Sequence, residues 1–164
     1  MREIIKEAQA VSTMNMSILI TGETGVGKEV LAQSIHNLGR ERHKFIAINC
    51  AAIPAELFES TLFGTVKGAY TGAVNNIGLF REAGEGTLFL DEFNSLTPLN
   101  QTRLLRVLQE RCVRPVGSTK EFPVQCRLIC ASNENLQTLL DEGRLRPDLY
   151  YRISEYCLEI PPLR

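Results

Sequence analysis

The sequence has 164 residues, which is enough for one domain with a substantial hydrophobic core. Its 18 Lys and Arg residues and 19 Asp and Glu residues leave a net charge of −1, so no overall positive charge is available to hold nucleic acid. No apolar run approaches the roughly 20 residues of a membrane-spanning helix, which argues against a membrane protein.

Residues 22–28 follow the G-x-x-x-x-G-K spacing of a phosphate-binding loop. The apolar run 18–20 predicts a buried strand before the loop, and apolar residues at helical spacing follow it. Glycines let successive backbone N–H groups point into one hollow, while the helix N-terminus and Lys28 add positive charge. We therefore expect the loop to hold the β- and γ-phosphates of a nucleotide. The residues predicted to bind it are Gly22, Glu23, Thr24, Gly25, Val26, Gly27, Lys28 and Glu29.

Glu29 stands at the position where a Ser or Thr usually contacts the magnesium ion. A carboxylate changes the charge at that position, so either the metal is held mainly from elsewhere or the loop belongs to a distinct subclass. The helix that begins here is predicted to carry an apolar stripe of Leu31, Ile35 and Leu38 and to end at Gly39.

A second element of a nucleotide site occurs where an apolar run at 87–90 ends in two acids, Asp91 and Glu92. Asp91 can orient magnesium, often through a water, and Glu92 can polarise the water that attacks the γ-phosphate. Two acids can also merely cap the following turn. Their position downstream of a phosphate-binding loop favours the nucleotide interpretation.

Further apolar runs predict strands at 45–48, 126–131 and within 153–160. Helices are predicted at 55–61, from Thr97 to Glu110, over 136–140 and at 145–152, and a polar loop or hairpin at 111–123. The long helix is expected to bury four leucines: Leu99, Leu104, Leu105 and Leu108. Strands alternating with helices predict an α/β fold with a parallel sheet, and the phosphate-binding loop lies at the carboxyl ends of its strands.

Asn133 follows the strand predicted at 126–131. At the tip of a strand beside the phosphate-binding loop it can sense the γ-phosphate, or it can only cap the next helix. Five cysteines, odd in number and without C-x-x-C spacing, favour buried free thiols in a reducing cytoplasm over a disulfide or zinc site. Three of them, Cys126, Cys130 and Cys157, lie in apolar surroundings.

Residues 63–73, the Tyr70 loop, contain three glycines within nine residues, which predicts an irregular loop or a pair of broken helices. Tyr70 lies between the glycines. It is either a contact residue at a flexible tip or a side chain that packs into the core.

The hexapeptide at the centre of this loop is Gly68-Ala69-Tyr70-Thr71-Gly72-Ala73. It resembles the Gly-Ala-Phe-Thr-Gly-Ala signature of the central AAA+ domain of bacterial enhancer-binding proteins, which activate sigma-54 RNA polymerase. The resemblance extends essentially from end to end, and Glu after the loop lysine is common in that family. It implies an α/β P-loop NTPase (AAA+) fold, a three-layer sandwich with a five-stranded parallel sheet. The stretch 93–99 departs from the family, which more often has an Ile-Gly-Glu-Leu-like turn.

The resemblance also implies roles for particular residues. Asn49 matches an asparagine that holds the catalytic glutamate in check, and Asn133 matches the first sensor. Arg146 and Arg152 match two arginines that reach into the site of a neighbouring subunit. Residues 116–122, the second loop, match a surface loop that supports the first.

The function implied by the resemblance is hydrolysis of ATP with Mg²⁺ in a ring, usually a hexamer, that moves the hexapeptide 68–73 against sigma-54. This motion remodels the closed promoter complex into an open one. The alternative is a nucleotide-switched module that binds sigma-54 with little turnover. A GTPase or helicase is less favoured, because the sequence has no Asn-Lys-x-Asp and neither class has such a loop.

The sequence begins within an amphipathic pattern and stops directly after a strand-like run, so we expect residues 1–164 to be an excised α/β subdomain. By the resemblance, a helical lid should follow Arg164. The regulatory domain and the helix-turn-helix that binds DNA are expected outside this segment.

Overall fold

The computed structural model describes residues 2–25 and 27–162. In chain order the strands are β1 (Ile18–Thr21), β2 (Phe45–Asn49), β3 (Thr87–Asp91), β4 (Cys112–Val113), β5 (Phe122–Pro123), β6 (Arg127–Ser132) and β7 (Tyr156–Glu159). The helices are α1 (Arg2–Val11), α2 (Lys28–Arg40), α3 (Phe58–Phe63), α4 (Leu79–Glu82), α5 (Pro98–Glu110), α6 (Leu136–Asp141) and α7 (Pro147–Ile153). Short 3₁₀ turns lie at Cys50–Ala52, Ala55–Leu57 and Phe93–Ser95.

Five strands form one parallel sheet in the order β2-β3-β6-β1-β7, which confirms the predicted parallel sheet. Successive side chains of a strand point to opposite faces. In β1, Ile18 and Ile20 therefore pack with α1 and α2, while Leu19 packs with the helices α3 to α7 on the other face. Two cores on opposite faces of the sheet make the three-layer sandwich that the resemblance implied.

The predicted end of the second helix is wrong. Gly39 lies inside α2, which continues to Arg40. A Cβ on Gly39 would overlap the carbonyl oxygen of Ser12, so the glycine allows close packing against the chain that follows α1 rather than ending the helix. Leu38, expected on the apolar stripe, is 53% exposed.

The start of α5 is as predicted, because the Thr97 side chain accepts a hydrogen bond from the backbone N–H of Asn100 at 3.2 Å. Three of its four predicted core leucines are buried. Leu99 is the exception and is exposed, since it lines a surface cavity between α3 and α5 together with Phe63.

All five cysteines are free thiols, and Cys50, Cys126 and Cys130 are buried. The predicted burial of Cys157 is wrong: this residue is exposed on β7, an edge strand of the sheet. Among the described residues no helix is long and apolar enough to span a membrane.

Candidate functional site

The loop between β1 and α2 has the backbone geometry of a phosphate-binding loop. Gly25 and Gly27 have φ angles of 85° and 90°, a region that residues with a Cβ rarely adopt. A Cβ at either position would meet open space, so backbone conformation rather than crowding requires glycine there. The prediction for Val26 lies outside the described residues.

Lys28 is only 7% exposed although it begins a helix on the protein surface. Its ammonium group donates to the carbonyl oxygens of Gly22 and Glu23, at 2.9 and 3.0 Å. An ammonium group has three donors, so one remains for a ligand. These two hydrogen bonds hold the Lys28 ammonium group at the loop that is predicted to bind phosphate.

One cavity of about 190 Å³ brings both sequence motifs together. Its lining residues are Thr24, Gly25, Gly27, Lys28, Glu29, Asp91, Glu92 and Asn133. The topology explains this meeting. Strand β6 lies between β1 and β3, and in a parallel sheet the carboxyl ends of all three strands share one edge.

Asp91 and Glu92 occupy the end of β3. An Asp91 carboxylate oxygen accepts the backbone N–H of Glu92 at 2.9 Å. Glu92 has φ 50° and ψ 44°, a left-handed conformation that is uncommon for a residue other than glycine, and its side chain makes no capping hydrogen bond. Such outliers concentrate at functional sites, and this one favours the nucleotide interpretation over simple capping.

The same cavity suits a magnesium ion. Mg²⁺ keeps several waters and is bound through one or two carboxylates together with nucleotide phosphates. Asp91, Glu92 and Glu29 supply carboxylates beside Lys28. Among residues 2–25 and 27–162, no cluster of three or more His, Cys, Asp or Glu side chains could hold a metal without such a ligand.

Asn49 ends β2 directly beside Asp91 in the register of the sheet. Its side-chain oxygen accepts the backbone N–H of Ala51 at 2.8 Å and caps the 3₁₀ turn that follows. No hydrogen bond joins Asn49 and Glu92 in the described part of the chain. A check on the catalytic glutamate by Asn49 stays a prediction.

Asn133 does not cap the helix that follows it, so that alternative is wrong. Asn135 caps α6 instead, accepting the N–H of Thr138 at 2.9 Å. The Asn133 amide nitrogen donates to the Thr24 hydroxyl at 3.1 Å and thus contacts the phosphate-binding loop. Placement in this cavity is what a γ-phosphate sensor requires.

A polar network beside Asn133 was not predicted. Asn94 donates to the side chains of Asn133 and Glu134, and Arg144 donates to Glu134. The departure of the stretch 93–99 from the family pattern was the only sequence signal that pointed to this region.

The two predicted trans-acting arginines lie outside the cavity. Arg146 stands at the start of α7, where its guanidinium group contacts Asp148 at 2.9 and 3.1 Å and the Thr102 hydroxyl at 3.1 Å. This contact lowers the pKa of Asp148. Arg152 lies further along α7 and lines a different cavity with Ser17, which precedes β1.

The Tyr70 loop is irregular, as predicted, and three segments meet at its base. Thr65 pairs with Asn76 through hydrogen bonds of 2.8 and 2.9 Å, and Val66 donates to Val116 at 3.1 Å. Residue Val116 belongs to the second loop, so the two loops are joined as the resemblance implied.

Tyr70 is 52% exposed, so the alternative that it packs into the core is wrong. Ala73 is buried, and its N–H donates to the Tyr70 carbonyl oxygen at 3.0 Å in a turn. The hexapeptide 68–73 therefore presents its aromatic ring to solvent while its last residue anchors it.

A family model described as the Sigma-54 interaction domain matches residues 1–159. The chain belongs to the sigma-54 interaction domain family. The family resemblance found in the phosphate-binding loop and the hexapeptide 68–73 is thereby confirmed.

Curated relatives of this domain are transcription regulators. The chain is 52% identical over 165 residues to the transcriptional activator RocR of Bacillus subtilis (strain 168), an alignment that covers 99% of the chain and 36% of RocR. It is 53% identical over 151 residues to the transcriptional regulatory protein XylR of Pseudomonas putida, covering 91% of the chain and 27% of XylR. The chain thus spans about a third of these relatives.

Solved structures share the fold. The chain superimposes on NtrX from Brucella abortus in complex with ATP with a TM-score of 0.89 and 34% identity, covering 98% of the chain and 36% of NtrX. It also matches the P-loop NTPase domain of an Escherichia coli sigma-54 activator with a TM-score of 0.65. That second likeness, at 20% identity, supports the fold alone.

Proposed function

We propose that residues 1–164 form the α/β core of an AAA+ module that binds and hydrolyses ATP to remodel sigma-54 RNA polymerase. The observation that carries the proposal is the single cavity that holds Lys28, Asp91, Glu92 and Asn133 at one edge of the sheet. Membership of the sigma-54 interaction domain family and the likeness to an ATP complex of NtrX support the choice of nucleotide and partner.

Each group in the cavity has a role in this proposal. Lys28 and the loop amides hold the β- and γ-phosphates. Glu92 orients the attacking water, and Asn133 donates to the γ-phosphate. Asp91 would hold Mg²⁺, which supplies charge that neutralises the phosphates when it is bound.

Among the described residues that line the cavity, Lys28 is the one cation, and it lies at the phosphate-binding loop. No arginine lines the cavity in the described part of the chain. We propose that Arg146 and Arg152 act on the site of a neighbouring copy in a ring, as a hexamer. An arginine finger contributes about 10³ to 10⁵ in rate to phosphoryl transfer.

The Tyr70 loop is the proposed sigma-54 contact, because the hexapeptide 68–73 is exposed at its aromatic residue. RNA polymerase works in the bacterial cytoplasm, where we expect this protein. The net charge of −1 agrees with DNA binding by a different part of a longer protein.

The test of catalysis is Glu92→Gln, measured as ATP turnover in parallel with nucleotide binding. We expect binding to persist and turnover to fall by at least about 100-fold, since a positioned base contributes roughly 10²–10⁴. Exposed Glu56→Gln serves as the control for removing a carboxylate. Unchanged turnover in Glu92→Gln would remove the assigned role.

A second candidate is a nucleotide-switched sigma-54 binder with little turnover. The absence of an arginine from the described lining of the cavity favours it for a single copy. Turnover per copy measured against protein concentration separates the two candidates, because an enzyme that needs a neighbour's arginine gains activity as rings form. Tight ATP binding without turnover at every concentration supports the switch, and competition by GTP tests the nucleotide.

Sigma-54 engagement is tested with Thr71→Ala in the exposed part of the hexapeptide. We expect ATP turnover to change less than about twofold, because the residue lies outside the nucleotide cavity, and engagement to be abolished. Retained engagement would exclude the hexapeptide as the contact.

A further inference from the structure

A chain of polar side chains leads away from the phosphate-binding loop. Asn133 donates to the Thr24 hydroxyl at 3.1 Å, and Asn94 donates to the Asn133 side-chain oxygen at 3.3 Å. The same Asn94 nitrogen donates to a carboxylate oxygen of Glu134 at 2.7 Å. Arg144 donates to both oxygens of Glu134, at 3.1 and 2.8 Å.

The donors and acceptors in this chain fit in only one orientation. An ionised carboxylate accepts hydrogen bonds and never donates them, so Glu134 must face the NH₂ end of Asn94. That NH₂ group then selects the oxygen end of Asn133. The NH₂ end of Asn133 therefore points toward Thr24 and the cavity.

Glu134 is held in position and in its ionised form. Its backbone N–H donates to the hydroxyl of Ser132 at 3.1 Å, and Ser132 is fully buried at the end of β6. Hydrogen bonds from Arg144 and Asn94 lower the pKa of the Glu134 carboxyl group, which keeps it an acceptor at neutral pH.

We propose that Asn94 is a positioning residue that turns the amide of Asn133 so that its N–H donors face the γ-phosphate. The oxygens of a phosphate group that carry the charge only accept hydrogen bonds, so a reversed Asn133 amide would present an oxygen and repel them. The Glu134–Arg144 pair fixes Asn94 in turn. This inference rests on the proposed function, because it assigns how that site distinguishes ATP from ADP.

The test compares the Kd of a non-hydrolysable ATP analogue with the Kd of ADP. In Asn94→Ala we expect the affinity for the analogue to fall about tenfold, the value of one hydrogen bond to a charged group, while ADP affinity stays within about twofold. Asn94→Asp should lose more than Asn94→Ala, because a carboxylate repels Glu134 and attracts the NH₂ end of Asn133.

Gln137→Ala is the matched control. Its amide also donates to a carboxylate, that of Asp141 at 2.8 Å, but it lies on the exposed surface of α6. We expect both affinities to stay unchanged in this variant. Glu134→Gln is a second test variant. Because a glutamine amide can either accept from Asn94 or donate to it, we expect an intermediate loss of affinity for the analogue and no loss of affinity for ADP.

The outcomes distinguish this inference from the function on which it rests. If the unaltered protein binds neither nucleotide, the proposed function fails, and this inference fails with it. If the unaltered protein prefers the analogue and Asn94→Ala preserves that preference, only the role of Asn94 is overturned. Equal losses of analogue and ADP affinity in both Asn94→Ala and Glu134→Gln also overturn the role of Asn94.

Discussion

Gly117 in the second loop lies against Ala69 in the Tyr70 loop. A Cβ placed on Gly117 would overlap the Cβ of Ala69 and approach its Cα to 2.9 Å. Gly117 also has a φ angle of 84°, which residues with a Cβ rarely adopt. The two loops are therefore in contact next to the exposed Tyr70, beyond the backbone pairing at their base.

Gly117→Ala is expected to displace the hexapeptide 68–73 and leave the nucleotide site intact. A left-handed residue with a Cβ costs about 1–2 kcal/mol, and the clash adds to it, so we expect sigma-54 binding to fall about tenfold or more. ATP turnover should change less than about twofold, since neither loop lines the nucleotide cavity.

Gly84→Ala is the control for backbone strain, because Gly84 has a φ angle of 56° and a Cβ at this position would meet no other atom within 4 Å. It should keep sigma-54 binding. Equal effects of the two substitutions on sigma-54 binding would contradict a specific contact between the loops.

Arg127 is a buried arginine that binds backbone carbonyl groups of other segments. It is 1% exposed, and its guanidinium group donates to the carbonyl oxygens of Ser12 and Met14, at 2.8 and 3.3 Å, and of Ile35 at 3.4 Å. Burial lowers its pKa to about 10, which still leaves it charged at neutral pH. The arginine joins the end of α1 and the middle of α2 to the sheet.

Arg127→Met is expected to destabilise the protein by about 2–4 kcal/mol, because it keeps the side-chain length but leaves buried carbonyl groups without donors. Chemical denaturation measures the loss, and limited proteolysis should show earlier cleavage after α1. Arg106→Met, on the exposed face of α5, should change the free energy of unfolding by less than about 0.5 kcal/mol. Similar unfolding midpoints for the two variants would contradict the anchoring role.

Local patterns were enough to predict the elements that carry the nucleotide site. The spacing from Gly22 to Lys28 depends on neighbours in sequence, and the acids at 91–92 end an apolar run. Parallel pairing then places both at one edge, because all strands of the sheet point the same way. This is why one cavity contains Lys28, Asp91 and Glu92, which the two motifs had named.

Contacts between distant residues could not be predicted in this way. The sequence pattern predicted a helix end at Gly39, but the glycine is needed for a close approach to Ser12, which follows α1 and is distant in sequence. Asn94 and Glu134 are 40 positions apart, and only the folded chain brings them together. The apolar spacing in α5 predicted that Leu99 is buried. It is exposed because the residues around it form an open cavity, which periodicity cannot reveal.

The five thiols should react in two classes. Cys112 is partly exposed and Cys157 exposed, whereas burial raises the pKa of Cys50 to about 12 and of Cys126 to about 11 and raises that of Cys130 well above its ordinary value. Thiolates are the reactive form, and the pKa values of Cys112 and Cys157 are raised too, so solvent exposure is what separates the two classes. Maleimide labelling of the folded protein at pH 7 should modify Cys157 and Cys112 first, and mass spectrometry after proteolysis identifies the sites.

Denatured protein is the control for this labelling, in which all five cysteines should react at similar rates. Rapid modification of Cys50 in the folded protein would contradict its burial near Asp91 and Glu92. Slower labelling of Cys157 than of Cys126 would contradict the exposed edge of β7.

We expect His36 to make the stability of the protein depend on pH. It is 2% exposed, and its ring nitrogens contact the Thr87 hydroxyl at 2.8 Å and the His43 carbonyl oxygen at 2.9 Å. A neutral ring fits both partners by donating to the carbonyl and accepting from the hydroxyl. Burial lowers the pKa of His36 below its ordinary value of 6.5, and the nearby Arg127 and Arg40 lower it further.

The unfolded chain therefore takes up this proton before the folded protein does. As the pH falls through 6.5, the ordinary pKa of histidine, the unfolded state gains protons first and the free energy of unfolding decreases. One proton gives a slope of at most about 1.4 kcal/mol per pH unit. The contribution is fully present above this window, and carboxyl groups such as Asp148, whose pKa is lowered, act only at more acidic pH.

His36→Gln should remove this slope, because glutamine does not titrate. Denaturation curves at pH 8, 7, 6 and 5 measure it, and the variant should be less stable at pH 8 but lose less stability between pH 7 and 5. His43→Gln is the matched control, since the chain has two histidines and His43 is exposed. If the pH dependence disappears in His43→Gln and persists in His36→Gln, then His43 takes up the proton and the prediction for His36 is wrong.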